Sequence, residues 1–203
     1  HYKEKKSILL VIFNNPGGIK SLKYLPDFTF TPNYAVPSGD GGLVISIKNS
    51  NVSGEEKKND INLLKYDESG SIVWKKTYGK PGIEEEVFSI MKLDDGSFVV
   101  GAYVNEKKGI SWIFKLDSNG EKIWENQFNS IESPFVNGIS ESPEKDIVVL
   151  ISGGEGPFFL VKYKGSDGTK VWEKKHSKRF YAIAMGGIDR ATGDGYIILA
   201  HTK

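Results

Sequence analysis

Cysteine is absent from the 203-residue chain, and Arg179 and Arg190 are its only arginines. Without thiols the protein has no disulfide, no thiolate zinc site and no cysteine nucleophile. Arginine is the residue that grips carboxylates and phosphates with two parallel hydrogen bonds, so its scarcity argues against a site that processes anions. The sequence also lacks HxH and HxxxH pairs, a Walker A motif, GxSxG and GxGxxG. We therefore expect no cofactor, no metal site and no catalytic residues.

Charge and hydropathy exclude two further kinds of partner. Lys and Arg total 27 against 26 Asp and Glu, for a net charge of +1, so no overall field attracts nucleic acid or an anionic membrane. The apolar run at residues 8–13 is six residues long, far short of the about 20 that cross a bilayer. We expect neither a nucleic-acid partner nor a membrane span. The chain begins with His1 rather than Met, which is compatible with a removed signal sequence.

A pattern of four short segments repeats along the chain. Its clearest copy, residues 87–128, reads VFSIMKL, SFVVGAYV, SWIFKL and EKIWENQF, with the turns DDG and DSNG between them. Segments rich in β-branched and aromatic residues, separated by Asp, Asn and Gly, are typical of antiparallel strands. We name the four predicted strands of a unit A, B, C and D.

The turn between strands C and D occurs three times, as KYDESGSIVW, KLDSNGEKIW and KYKGSDGTKVW. Its aspartate caps the loop with a side-chain hydrogen bond, and its glycine supplies a positive φ. A binding site rarely needs three equivalent platforms, so we interpret the repeated residues as structural. They are Trp74, Trp124 and Trp172 in strand D, and Asp67, Gly70, Asp117, Gly120 and Gly168 in the turns. Trp112 stands outside this pattern.

Three whole units and two half-units account for the chain. The whole units cover residues 34–78, 87–128 and 135–175; residues 7–24 align with strands C and D, and residues 180–202 with strands A and B. We predict a single all-β domain, residues 1–203, of four sheets with four antiparallel strands each. The fourth sheet would form when the N-terminal strands C and D pair with the C-terminal strands A and B, which closes a ring and hides its edge strands.

Residues 66–104 carry a family resemblance. Their sequence, YDESGSIVWKKTYGKPGIEEEVFSIMKLDDGSFVVGAYV, is similar to the D-x-x-G-x-x-x-W-x-K-x-Y-G … DGG-[FY]-[IV]-[IV]-x-G pattern of bacterial extracytoplasmic β-propeller repeats, which are related in style to the PQQ-like propellers. The resemblance implies a β-propeller with strand A innermost, and the count of units above then predicts four blades. It also implies a prokaryotic periplasmic, cell-surface or secreted location. It brings no cofactor, because no position matches the calcium-bound quinone site of redox quinoproteins.

A propeller of this kind places the D–A and B–C loops on one face, and we expect that face to bind a protein or carbohydrate partner without catalysis. We expect the protein to be a monomer. Phe28 and Phe30 in the long D–A loop are candidate anchors, unless they fold back over the imperfect first unit. The candidate contact residues are Phe28, Phe30, Lys57, Lys58, Glu84, Glu85, Lys107, Lys108 and Arg179.

Two alternatives remain open. In the first, Glu84, Glu85 and Arg179 serve a hydrolase or lyase that acts on glycans at the channel mouth, which requires them to converge in a cleft. In the second, the chain is a fragment of a larger quinoprotein-like ring, which predicts unpaired sheet edges at residues 7–13 and 195–201.

Overall fold

The computed structural model describes residues 8–13, 19–25, 30–49, 60–154, 156–180, 182–191 and 195–201. Within these ranges every regular element is a β-strand, and all paired strands are antiparallel. The predicted all-β fold with repeated four-stranded sheets is therefore confirmed.

Three four-stranded sheets follow one another along the chain. Sheet 1 consists of β3 (Phe30–Pro37), β4 (Leu43–Asn49), β5 (Ile61–Tyr66) and β6 (Ile72–Tyr78). Sheet 2 consists of β7 (Glu85–Lys92), β8 (Phe98–Val104), β9 (Ile110–Leu116) and β10 (Lys122–Phe128). Sheet 3 consists of β11 (Phe135–Glu141), β12 (Ile147–Ser152), β13 (Gly156–Tyr163) and β14 (Lys170–Phe180). Spatial order follows chain order, so the strands of each sheet correspond to A, B, C and D.

The terminal strands form two separate two-stranded sheets. β1 (Ile8–Phe13) pairs with β2 (Ile19–Leu25), and β15 (Ala182–Arg190) pairs with β16 (Tyr196–His201). The predicted fourth sheet, in which these four strands would pair and close a ring, is not formed by the residues that the structure describes.

The strand register shows how the first half-unit departs from the whole units. Ile12 lies opposite Ser21 in the first half-unit, at the positions where sheet 1 has Lys65 opposite Trp74. In the whole units this lysine holds the turn between strands A and B, and the tryptophan reaches the next sheet, as described below. The first half-unit has neither anchoring side chain.

Burial explains why the inner strands read as continuous apolar runs. Successive side chains of a strand point to opposite faces, and in β8 both faces are covered. Phe98 and Val100 pack in the cluster shared with sheet 1, whereas Val99 packs in the cluster shared with sheet 3. The outermost strands β6 and β10 instead alternate between exposed and covered side chains. Each D strand therefore lies at the periphery.

Successive sheets pack through their A strands. β7 contacts both β3 and β11, and β11 contacts β15. The B strand β8 also lies close to β11, because a Cβ atom on Gly101 would be 2.4 Å from Cγ1 of Val136. Only glycine fits that contact, so this residue sets how closely sheets 2 and 3 approach.

The D-strand tryptophans link each sheet to the next. The indole Nε1–H of Trp74 donates to the carbonyl oxygen of Ser118 at 3.1 Å, and that of Trp124 donates to the carbonyl oxygen of Gly165 at 3.2 Å. Both acceptors lie in the C–D turn of the following sheet. Repeating the turn and the tryptophan together thus repeats one inter-sheet hydrogen bond.

Candidate functional site

Backbone hydrogen bonds join the B–C loop of sheet 2 to the D–A loops before and after that sheet. The N–H of Asn105 donates to the carbonyl oxygen of Glu84 at 2.8 Å, and the N–H of Ser133 donates to that of Lys108 at 2.7 Å. These bonds tie the B–C loop of sheet 2 to the D–A loops on either side of it. We call the surface formed by residues 79–84, 105–109 and 129–134 the loop face.

Three aromatic side chains, the aromatic trio, cluster beside the loop face. The ring of Phe135 lies with its centroid 4.9 Å from that of Phe88 and 4.8 Å from that of Tyr103. Phe88 occupies a β-bulge in β7, because the pairing steps from Val87–Ala102 to Ser89–Gly101. A bulge redirects the side chain of the extra residue. All three rings are half-buried, so each keeps part of its apolar surface open to solvent.

The aromatic trio restricts which residue can stand in the adjoining B–C loop. Gly109 has a φ of +80°, and a Cβ atom there would lie 2.5 Å from Cε2 of Tyr103. The loop can therefore pass over the tyrosine ring only with glycine at this position.

Partly exposed aromatic rings are suited to stacking on a sugar ring or to receiving an apolar side chain of a protein partner. The trio could not be predicted from a single repeat, because its members come from two different units. The available signal was a departure from the repeat: Phe88 stands where the bulges of β3 and β11 carry Asn33 and Asn137.

The predicted contact residues differ in how far their side chains are exposed to solvent. Lys107 and Lys108 are exposed on the loop face, and Glu84 is half-buried there. Glu85 is turned inward, with 4% of its surface exposed, and its Oε1 accepts a hydrogen bond from the N–H of Lys80 at 3.0 Å. Burial raises the pKa of Glu85 above its usual value, although the hydrogen bond from Lys80 opposes that shift.

The structure does not describe the side chains of the other predicted contact residues. Phe28, Lys57 and Lys58 fall in segments that the structure does not describe, and for Phe30 and Arg179 it describes the backbone in β3 and β14. The convergence of Arg179 with Glu84 and Glu85 thus stays a prediction.

A cleft opens at the end of the strands that lies opposite the loop face. It has a volume of about 510 Å³ and lies between the turns of sheets 2 and 3. Charged side chains of both signs line it: Asp94, Asp95, Glu141, Glu144, Asp146, Lys115, Lys145 and Lys164.

Each whole unit places a lysine of strand C against a carboxylate of its own A–B turn. The pairs are Lys65 with Asp40 at 2.8 Å, Lys115 with Asp95 at 3.0 Å, and Lys162 with Glu144 at 3.2 Å. The sequence holds a signal for these lysines, because K-Y or K-L opens all three copies of the C–D motif. The predicted structural residues of that motif were its aspartate, glycine and tryptophan, and the lysine was not among them.

Hydrogen bonds to lysine and serine side chains set the charge state of the aspartates in the cleft. Partial burial raises the pKa of Asp95, but hydrogen bonds from Ser97 and Lys115 outweigh it and bring that pKa to about 2. A hydrogen bond from Lys145 likewise lowers the pKa of Asp94. Carboxylates that are ionised and already engaged are poorly suited to act as general acids. We interpret the cleft as a structural junction.

Trp112, which the repeat does not explain, is a packing residue. Its ring centroid lies 4.5 Å from that of Phe114, and its Nε1–H donates to Oε2 of Glu125 at 2.8 Å. It belongs to the apolar cluster between sheets 1 and 2.

Across the described ranges, no three His, Cys, Asp or Glu side chains are grouped so that they could hold a metal ion. The same part of the chain has no helix with the length and apolar character needed to span a membrane.

Comparison with known proteins supports the fold. No protein-family model and no curated protein matches the sequence. Among solved structures, the chain is similar to a protein of unknown function from Bacteroides caccae, with a TM-score of 0.52 and 17% sequence identity. The match covers 87% of this chain and 57% of the other, so the chain spans little more than half the length of that protein.

Proposed function

We propose that the chain forms blades of a β-propeller and acts as a binding scaffold without catalysis. Support comes from the way the sheets stack, with the A strands of neighbouring sheets in contact and the D strands at the periphery. The resemblance of the repeat to extracytoplasmic propeller repeats supports a periplasmic, cell-surface or secreted location in a prokaryote.

The loop face is the proposed binding surface, and its partner is a carbohydrate or a protein segment. The aromatic trio is the observation that carries this proposal. Three rings that pack on one another while keeping solvent-exposed surface form a rigid apolar platform. The exposed Lys107 and Lys108 flank it on the B–C loop and add positive charge.

A glycan array and a peptide library, each followed by calorimetric titration of the best hits, test the proposal. We expect Tyr103→Ala to weaken binding at least about tenfold, because a lost aromatic contact of roughly 1.4 kcal/mol corresponds to that factor. Ile197→Ala is the control, since Ile197 is an exposed apolar residue beside the turn between β15 and β16, at the strand end that carries A–B turns rather than B–C and D–A loops. Ligands that bind both variants as well as the unchanged protein, or turnover of a substrate panel without binding, would contradict the proposal.

One observation favours the alternative of a larger ring. The β1–β2 and β15–β16 pairs stand as separate sheets within the described ranges, and Ile197 and Leu199 on β16 are 63% and 67% exposed. Both features suit strands that pair with further blades. Light scattering and amide hydrogen exchange on the purified chain check this alternative. A strictly monomeric chain whose β16 amides are protected from exchange would favour a closed ring instead.

The hydrolase or lyase alternative receives less support. Glu85 points into the interior rather than into an open cleft, and the cavity beside it has a volume of about 10 Å³. A sugar ring does not fit a space that holds one water-sized body.

A further inference from the structure

The small cavity beside Glu85 lies between sheets 1 and 2, where β7 begins. Its volume of about 10 Å³ is close to the least that admits one water or one monoatomic ion. The polar side chains that line it all carry oxygen atoms: Asn33, Ser46, Asp60, Glu85 and Glu86.

One oxygen of Glu85 has no hydrogen-bond partner. The residue is 4% exposed, its Oε1 is engaged by the N–H of Lys80, and its Oε2 is buried without any partner. Native proteins leave few buried polar atoms unsatisfied, and a buried carboxylate oxygen is among the costliest to leave so. This oxygen therefore needs a partner, which can be a proton, a water molecule or a cation.

A second carboxylate approaches the same point. A Cβ atom built on Gly79 would lie 2.8 Å from Oε2 of Glu85 and 3.0 Å from Oδ1 of Asp60. Both oxygens therefore lie against Gly79, one from the start of β7 and one from the residue before β5, and both residues line the cavity. Burial raises the pKa of Glu85; Asp60 adds to that shift and Lys80 opposes it, and these are the charged groups that act on it.

We propose that this cavity binds a small hard cation, with Ca²⁺ as the reference ion, between Oε2 of Glu85 and Oδ1 of Asp60. Oxygen ligands are those that Ca²⁺ prefers, and its coordination tolerates irregular geometry and bound water. Asn33 and Ser46 also line the cavity; Nδ2 of Asn33 donates to the carbonyl oxygen of Val87, and Oγ of Ser46 accepts from the N–H of Tyr34. The ion would join sheet 1 to sheet 2 where β7 begins, next to the loop face.

A site with only two carboxylate ligands binds Ca²⁺ weakly. Since the described ranges contain no group of three acidic or histidine ligands, we expect a dissociation constant on the order of 10⁻⁴–10⁻³ M, as in extracellular calcium modules. This inference goes beyond the proposed binding role and does not depend on it.

Thermal unfolding of the metal-free chain, followed by circular dichroism at constant ionic strength, tests the proposal. With about 10 mM CaCl₂ we expect the midpoint to rise by about 3–11 °C, and to rise less with MgCl₂. Glu85→Gln should abolish the calcium shift without lowering the calcium-free midpoint, because the amide removes a buried charge and keeps the shape. Asp60→Asn should reduce the shift, and Glu132→Gln, which neutralises an exposed acid in the next D–A loop, should leave it unchanged.

Two results would overturn the proposal. One is a calcium shift that survives in Glu85→Gln. The other is a midpoint that responds to acidification but not to calcium, which would mean that a proton, rather than a cation, satisfies Oε2.

Discussion

Trp124 provides the sharpest test of how the sheets are joined. It is 7% exposed, packs in the cluster between sheets 2 and 3, and donates its indole hydrogen to Gly165. A buried tryptophan removes about 200 Å² from water, worth about 5 kcal/mol at 25 cal/mol/Å². Side-chain entropy offsets about 1 kcal/mol, and the hydrogen bond contributes about 1 kcal/mol. We therefore expect Trp124→Ala to lower the free energy of unfolding by about 3–5 kcal/mol.

Two further variants separate packing from hydrogen bonding. Trp124→Phe keeps most of the ring and loses the indole donor. The Gly165 oxygen still accepts from Nζ of Lys115 at 3.0 Å, so we expect a loss of about 1–1.5 kcal/mol. Trp74 holds the equivalent place but is half-buried, so Trp74→Ala should cost about half as much as Trp124→Ala.

Urea unfolding followed by circular dichroism measures these differences, with an unchanged m-value as the condition for comparing them. If Trp74→Ala and Trp124→Ala proved equally costly, burial would not explain the cost. If Trp124→Phe cost as much as Trp124→Ala, the hydrogen bond rather than packing would dominate the junction.

Two other predictions concern the same junction. The pKa of Asp95 is lowered to about 2 in the folded state, so its contribution is fully present above about pH 4 and is lost as the pH falls toward 2. Its side chain is 56% exposed, so solvent screening reduces that contribution to about 1 kcal/mol. The free energies of unfolding of Asp95→Asn and the unchanged protein, measured with urea, should converge near pH 2. A difference that stays constant with pH would refute the assignment. Gly168 has a φ of +75° and a Cβ there would lie 2.8 Å from Cδ2 of Trp124, whereas Gly96 has a φ of +83° and open space around it. Gly168→Ala should therefore cost about 2–3 kcal/mol and Gly96→Ala about 1 kcal/mol in the same assay, and equal costs would show that the contact with Trp124 is unimportant.

The repeated sheets were predictable because strand, turn and packing signals agree in every whole unit. In sheet 2, SFVVGAYV became β8, and DSNG became the turn between β9 and β10. Such signals are local, since turn chemistry acts over four residues and strand patterning over about six.

The contents of the candidate sites were much less predictable. Phe88 and Phe135 meet only because β7 and β11 pack together, and no local pattern encodes that contact. Glu85 lies in an acidic run that is typical of a solvated loop. The run contains the first residue of β7, and alternation along the strand turns this one carboxylate inward.

The junctions also explain why the chain ends differently from its middle. Lys115 holds Asp95 of its own sheet and Gly165 of the next, and Trp124 donates to that same Gly165. A turn is thereby fixed by two donors from the preceding sheet. The first half-unit has Ile12 and Ser21 at these two positions, so it cannot fix the turn of sheet 1 in the same way. Any ring that includes this chain must therefore make its junction at β1 and β2 by different contacts from those that join sheets 1, 2 and 3.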